Sequence, residues 1–116
     1  METSGEWRVD RYVTSAGTTP LDRFLDALEA RDREDVVKLL THLRLRGNRL
    51  REPISRALGG GLHELRRRTI RIFYVFRPGH QIVVLDGIVK KQDRIPLDEL
   101  RRIRSYQRDV EARGAP

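Results

Sequence analysis

The run GGLHELRRRTIRIFYVFRPGHQIVVLDGIVKKQDRIP, residues 60–96, decides the fold, because apolar and polar side chains alternate along it with a period of two. This spacing predicts three successive strands, at residues 62–68, 70–77 and 81–91, with a turn at Pro78-Gly79 between the last two. The second and third strands are apolar on both faces in their centres, which is typical of inner strands. We therefore expect this run to form the middle of a small sheet.

A further strand and two helices are predicted before this run. Residues 6–14, EWRVDRYVT, alternate apolar and charged side chains, as a half-buried strand does. Thr19 and Pro20 suit the N-cap and first position of a helix, whose apolar residues repeat at helical spacing to about Ala30. Asp32 is suited to cap a second helix, which ends before residue 47. The two helices are expected to form a hairpin.

Two more segments complete the predicted order. Residues 47–61 contain Pro53 and the triplet Gly59-Gly60-Gly61 among several arginines, so they are predicted to be a mobile loop with at most a short turn. A last helix begins at Pro96 and frays from Ala112. The order β-α-α-β-β-β-α predicts an α+β fold. Its small, antiparallel-rich sheet carries the helices mainly on one face and leaves the other face available.

Length and composition predict a single domain over residues 1–116, with frayed ends at residues 1–5 and 112–116. The 116 residues include no cysteine, which excludes disulfides and thiolate chemistry. The start, METSGEW, lacks a signal-peptide pattern, and no apolar run approaches the roughly 20 residues that span a bilayer. We therefore expect a cytoplasmic protein without membrane contact.

The positive charge is concentrated in one part of the chain. Residues 1–41 carry a net charge of −3 and residues 42–116 carry +10, within a total of +7. Between His42 and Arg77 there are ten arginines and two glutamates. Such crowding favours a polyanionic partner, and nucleic acid in particular.

Arg71 is the most unusual of these cations, because it lies in the middle of an apolar strand. An arginine in that position is costly unless it is paired or contacts a ligand. One interpretation is a cross-strand ion pair with Glu64, the other is a ligand-binding role, and the two are compatible. Antiparallel pairing also brings the Lys90-Lys91 end of the third strand towards Arg71. The sequence therefore predicts a convergent basic cluster.

Other kinds of site are not indicated. His42, His63 and His80 lack the spacing of a zinc site and have no carboxylate cluster to join, so no metal is expected. The glycine triplet is not followed by the Lys and Ser/Thr of a nucleotide loop, so no cofactor is expected either. His63 is interpreted as a partly buried packing residue.

Residues 60–96 contain four motifs in order, which are Gly61-Leu62-His63-Glu64-Leu65-Arg66, Arg71-Ile72-Phe73-Tyr74, Gly87-Ile88-Val89-Lys90-Lys91 and Pro96. Taken as an ordered set, they resemble the motifs of RelE-type toxins of bacterial toxin-antitoxin pairs, in the RelE/ParE superfamily. The set is most similar to the phage-derived, HigB-like branch. The resemblance extends from about Trp7 to Val110 and implies a RelE-like fold.

This resemblance implies the toxin of a type II toxin-antitoxin system, a ribosome-dependent mRNA endonuclease that inhibits translation. In such an enzyme the ribose 2′-hydroxyl attacks the adjacent phosphate without a metal ion. Arg71 and Lys91 match positions where the family places phosphate-binding cations, and Arg66 flanks them as a further catalytic candidate. Glu64 is the only carboxylate in this set, and is the candidate general base or the group that orients Arg71.

The resemblance also implies the partners, which are the ribosome, mRNA and a cognate antitoxin with a helix-turn-helix domain. A Tyr or His that many RelE-type toxins carry after the basic strand end is missing from QDRIPLDE, which leaves His63 and Asp93 as substitutes for proton transfer. Tyr106 lies too late in the chain to take that place. The ParE-like alternative, a non-nuclease toxin that binds DNA gyrase, stays open. The remaining cations are interpreted as RNA-binding: Lys90, Arg46, Arg49, Arg51, Arg67 and Arg68.

Overall fold

Residues 5–113, the part of the chain that the computed structural model describes, form one five-stranded sheet and three helices. Residues 1–4 and 114–116, which belong to the ends predicted to fray, lie outside the described residues. The elements are β1 (Arg8–Arg11), α1 (Pro20–Asp26), α2 (Ala30–Arg46), β2 (Ser55–Gly59), β3 (Leu62–Arg67), β4 (Ile70–Arg77), β5 (Gln81–Val89) and α3 (Leu97–Arg113).

The strands lie in the order β1-β5-β4-β3-β2. The last four strands of the chain are antiparallel neighbours, because a tight turn joins each one to the next. β1 pairs in parallel with the first half of β5, from Arg8 opposite Gln81 to Arg11 opposite Val84. The predicted antiparallel-rich α+β fold is therefore confirmed.

Helices cover both faces of the sheet, because β4 is apolar on both of its faces. Ile72 and Tyr74 belong to a core that includes Leu39 of α2. Phe73 belongs to a second core, on the opposite face, that includes Ile103 of α3. The expectation that one face stays available is therefore wrong: α1 and α2 share one face, and α3 packs on the other.

The helix boundaries differ by a few residues from the predicted ones. α1 ends at Asp26, and α2 begins at Ala30 with Glu29 as its N-cap. Asp32 therefore lies in the first turn of α2 rather than at its cap, where its charge still complements the helix dipole. α3 continues through Arg113, so residues 112 and 113 are helical. Within residues 5–113, every helix is too short or too polar to traverse a bilayer.

The strand β2 lies inside the segment that the sequence predicts to be a mobile loop. Its residue Arg56 is paired opposite Glu64 of β3, and Gly60 and Gly61 turn the chain between the two strands with φ angles of 63° and 88°. β2 is an edge strand held by backbone pairing, and its side chains do not alternate regularly between buried and exposed. A pattern of period two is therefore absent, which is why sequence reasoning missed this strand.

Candidate functional site

The turn between β3 and β4 and the end of β5 together form a cleft of about 460 Å³. Pairing of β4 with β5 produces it, since Ile70 lies opposite Val89 and the Lys90 N–H donates to the Thr69 carbonyl oxygen at 2.6 Å. The structure thus brings Arg71 together with both lysines, as strand pairing predicted. We call this the basic cleft; its lining residues are Arg68, Thr69, Arg71, Lys90, Lys91, Gln92 and Asp93.

Arg71 is the buried member of the basic cleft, with an exposed fraction of 8%. Its Nη1 donates to the carbonyl oxygens of Arg68 and Ile70 at 2.7 and 2.9 Å. Its Nε is buried without a hydrogen-bond partner among the described residues. Burial lowers the pKa of Arg71, and Arg66 adds to this effect while the charge of Glu64 opposes it. A dehydrated guanidinium with a free donor gains more from a bound anion than a solvated one does.

The cross-strand ion pair considered for Arg71 and Glu64 is not formed. The register places Arg66 opposite Arg71 and Glu64 opposite Phe73. A direct pair of Glu64 with Arg71 would require a register shifted by two residues. Glu64 instead lies 3.6 Å from Arg66, between Oε2 and Nε. Two like charges opposite each other are unfavourable without a counter-charge, which Glu64 supplies from the same face.

The position of Glu64 bears on the two roles considered for it. Its exposed fraction is 3%, and it does not line the basic cleft. A general base has to come within hydrogen-bond reach of the proton that it accepts. The geometry therefore favours the orienting role, in which Glu64 pairs with Arg66 and its charge offsets that of Arg71 without contacting it.

Asp35 of α2 fixes the arginines of the β3–β4 turn, and sequence reasoning missed it. Its carboxylate accepts hydrogen bonds from Arg67 Nε at 2.8 Å and Arg68 Nη2 at 2.6 Å. Burial alone would raise the pKa of Asp35, but the hydrogen bonds and charges of the two arginines outweigh it and lower the pKa. The sequence shows Asp35 only as an acidic residue near the start of a helix, which is common on dipole grounds. Its burial, at 3% exposure, is the feature that reveals its role.

Three of the predicted RNA-binding residues, which we call the loop arginines, lie away from the basic cleft: Arg46, Arg49 and Arg51. Arg46 ends α2, roughly 16 Å along the helix from Asp35. Arg49 donates to the Leu45 carbonyl oxygen at 3.3 Å, and Arg51 donates to two nearby carbonyl oxygens at 3.0 Å. All three are exposed, and within residues 5–113 none of them has a carboxylate partner.

The candidates for proton transfer separate clearly. Asp93 lines the basic cleft. His63 points to the opposite face of the sheet and packs on Tyr74 and Phe76, with ring centroids 5.4 and 5.0 Å apart, so it does not reach the cleft. Tyr106 packs against another aromatic ring on α3's side of the molecule. Within residues 5–113, no group of three His, Asp or Glu side chains is arranged to hold a metal ion.

The fold is similar to that of RelE toxins. The isolated RelE toxin of E. coli matches with a TM-score of 0.55 at 14% identity, over 84% of this chain and 98% of that one. A chain of the toxin-antitoxin complex RelBE2 from Mycobacterium tuberculosis matches with a TM-score of 0.51 at 22% identity, over 79% and 100%. The RelE-like fold that the motifs implied is therefore confirmed.

The sequence match identifies the family. Residues 23–108 match the family described as Phage derived protein Gp49-like (DUF891). The chain belongs to this family, and the matched residues include the whole basic cleft. The predicted place among phage-derived, RelE-like proteins is confirmed. No curated protein matches the sequence at a significant level.

Proposed function

We propose that this protein is a HigB-like toxin of a type II toxin-antitoxin system that cleaves mRNA on the ribosome. The observation that carries the proposal is the buried Arg71, whose Nε has no partner, beside Lys90 and Lys91 in one cleft. A phosphate under attack carries more negative charge than a phosphodiester at rest, so fixed cations stabilise the transition state selectively. The family and the fold support the same function.

In the proposed reaction, the 2′-oxygen of one ribose attacks the adjacent phosphorus and gives up its proton. The bond from phosphorus to the 5′-oxygen of the next nucleotide breaks, and that oxygen takes up a proton. The products are a 2′,3′-cyclic phosphate and a 5′-hydroxyl end. Arg71 and Lys91 contact the non-bridging oxygens, each contributing about 2.7 to 4 kcal/mol in the transition state. Lys90 and Arg68 bind the neighbouring phosphates.

Two carboxylates take different parts in this proposal. Asp93 is exposed and lines the basic cleft, so it accepts the proton of the 2′-hydroxyl directly or through water. Glu64 is buried and acts on the substrate only indirectly, by pairing with Arg66 and by offsetting the charge of Arg71. Arg66 lies opposite Arg71 in the pairing of β3 with β4, so its charge adds to the positive electrostatic potential at the reacting phosphate.

The proposed partners follow from charge and from the family. The protein acts in the cytoplasm on ribosome-bound mRNA, and a cognate helix-turn-helix antitoxin with an acidic surface sequesters it. One of the structures with a similar fold is a toxin-antitoxin complex. A net charge of +7 favours association with an acidic chain. The association rate should fall as ionic strength rises; a rate independent of salt would contradict steering by charge.

Expression of the protein in growing cells, with transcript 5′ ends mapped by sequencing, tests the proposed function. We expect growth arrest and new 5′ ends inside translated codons. Lys91→Ala should abolish both, because it removes a cation that stabilises the transition state. Lys91 is exposed, so its loss leaves the core intact. Arg108→Ala, which removes an exposed cation from α3, should behave as the unmodified protein does. Growth arrest with intact transcripts would overturn the proposal, and gyrase-dependent DNA breaks would favour a ParE-like activity.

A further inference from the structure

A second cleft, of about 270 Å³, lies along the edge strand β2. His63 and Tyr74 line it, and both belong to the sheet face opposite that of Arg71. It is therefore separate from the basic cleft. We call it the edge cleft; its lining includes Arg51, Glu52, Ser55, His63, Tyr74 and Phe76.

The wall of the edge cleft is aromatic. The His63 and Tyr74 rings are stacked, and Phe76 meets His63 edge to face at 5.0 Å. Tyr74 is buried and its hydroxyl group is hydrogen bonded to Ser55 at 2.8 Å, whereas His63 and Phe76 are half-buried and leave ring surface open to the cleft. Burial lowers the pKa of His63, so the imidazole is neutral at neutral pH and stacks without needing a counter-ion.

Arg51 adds a cation to the lining of the edge cleft. Arg51 is exposed, and its Nη1 is held by the carbonyl oxygens of Asn48 and Leu50, both at 3.0 Å. These bonds fix the guanidinium and leave its charge without a carboxylate partner among the described residues. Glu52 is the one acidic residue of the lining, and its charge opposes the binding of an anion.

We propose that the edge cleft binds an unpaired RNA base, which stacks on His63 and Phe76 while Arg51 contacts the adjoining phosphate. Aromatic faces beside a fixed cation are the combination by which proteins bind single-stranded nucleic acid. The inference deepens the proposed function, on which it rests in taking RNA as the ligand. It assigns these residues to holding the strand and not to cleaving it.

The placement of the two clefts allows one RNA strand to occupy both. His63 lies four residues, or roughly 13 Å along β3, before Arg67, which ends the strand next to Arg68 of the basic cleft. Arg56 of β2 also lines the edge cleft, and its pairing opposite Glu64 puts it at the edge next to the face that carries Arg66 and Arg71. Cations thus lie on both sides of the β2 edge, around which a strand of a few nucleotides can pass.

Binding of a 2′-O-methyl RNA octamer that carries one 2-aminopurine tests this proposal, because such an RNA lacks the attacking hydroxyl and is not cut by the proposed reaction. The full chain should quench the 2-aminopurine fluorescence as the base stacks. Arg51→Gln should weaken binding about three- to tenfold and reduce the log-log salt slope by about 0.7. Arg108→Gln is the matched control and should change the affinity less than twofold.

Two further variants separate stacking from charge. His63→Leu keeps the bulk of the side chain but removes the ring, and should weaken binding about fivefold or more with loss of quenching. Glu52→Gln should tighten binding, because it removes the opposing charge. A thermal melt of each variant checks the fold. If His63→Leu does not fold, Arg51→Gln and Glu52→Gln still test whether the edge cleft binds RNA.

Several outcomes would overturn the proposal. These are equal effects of Arg51→Gln and Arg108→Gln, unquenched fluorescence at saturation, or AMP competing as tightly as the octamer, which would make the cleft a site for free nucleotides. The proposed function is judged apart from this, by cleavage on ribosomes. If Arg51→Gln binds the octamer normally while Lys91→Ala loses cleavage, the RNA-binding role of the edge cleft is contradicted and the proposed nuclease activity stands.

Discussion

The basic cleft and the loop arginines hold the same kind of residue in very different surroundings. Arg71 is buried with an unpartnered Nε, and Arg68 is fixed by the buried carboxylate of Asp35. Arg46 and Arg49 are exposed, and within residues 5–113 neither has a carboxylate partner. A fixed, dehydrated cation can distinguish a transition state from a substrate, whereas a solvated one adds affinity for any phosphate. The net charge of the sequence does not separate these two roles, but burial does.

The largest change in stability is expected from Glu64→Gln. This substitution leaves Arg66 and Arg71 opposite each other without their counter-charge, so the free energy of unfolding should fall by about 3 kcal/mol in urea titrations. Glu34→Gln, an exposed change on α2, should shift it by less than about 0.5 kcal/mol.

The same variant distinguishes the two roles considered for Glu64. If Glu64 orients the arginines, the variant cleaves more slowly but keeps the pH dependence of the unmodified protein. If Glu64 were the general base, the rising acid limb of the pH–rate profile would disappear. Cleavage of programmed ribosomes over a range of pH measures this.

Asp35→Asn should have the next largest effect. It removes the shared partner of Arg67 and Arg68, whose side chains are 40% and 44% exposed. Solvent screens such half-exposed charges, so we expect a loss of only about 1 to 2 kcal/mol in the free energy of unfolding. Cleavage should also slow, because the turn that carries Arg68 loses its anchor. Asp26→Asn, an exposed change at the end of α1, is the control; an equal effect of the two would contradict the anchoring role.

The pH dependence of stability offers a finer test of the same contact. Since Arg67 and Arg68 lower the pKa of Asp35 in the folded state, the folded protein binds fewer protons here than the unfolded chain. The contribution of Asp35 is therefore complete above about pH 5 and is lost as the pH falls through the lowered pKa. The stability difference between the unmodified protein and Asp35→Asn should shrink between pH 5 and pH 2. A difference that grows with acid would contradict the contact.

The smallest effect is expected at Arg49, a loop arginine that does not line the edge cleft. Arg49→Ala should weaken binding to ribosomes only slightly at low salt, because Arg49 is one exposed cation among many. The substitution should instead change the salt dependence of the binding affinity, whose log-log slope should fall by about 0.7 to 0.9 for one lost phosphate contact. Titrations at several salt concentrations measure it, and an unchanged slope would exclude a phosphate contact.

The sequence predicts those parts of the fold that depend on regular alternation. The strands β3, β4 and β5 follow from the period of two in residues 60–96, and their pairing brings Arg71 and Lys91 together. β2 could not be predicted, because backbone pairing to β3 holds it and its side chains show no period. The packing of α3 on the second face of the sheet was also missed, although the apolar residues on both faces of β4 require such a cover.

Individual contacts in the site were less predictable than the strands. The pairing of Arg71 with Glu64 failed because the register was assumed, and a shift of two residues places Arg66 there instead. Asp35 lies far from Arg68 in sequence, and only the packing of α2 on the sheet brings them together. The sequence alternation places His63 and Glu64 on opposite faces of β3, but it does not show on which face the basic cleft lies and on which the edge cleft lies.

The most direct test of the division between chemistry and docking is single-turnover cleavage of mRNA on programmed ribosomes at saturating protein, where binding no longer limits the rate. Arg71→Ala should cleave about 10² to 10³-fold more slowly than the unmodified protein, because Arg71 acts on the transition state. Arg49→Ala should cleave at the unmodified rate under the same conditions. If Arg71→Ala keeps that rate while Arg49→Ala loses it, the assignment is reversed and the reacting phosphate lies at the loop arginines.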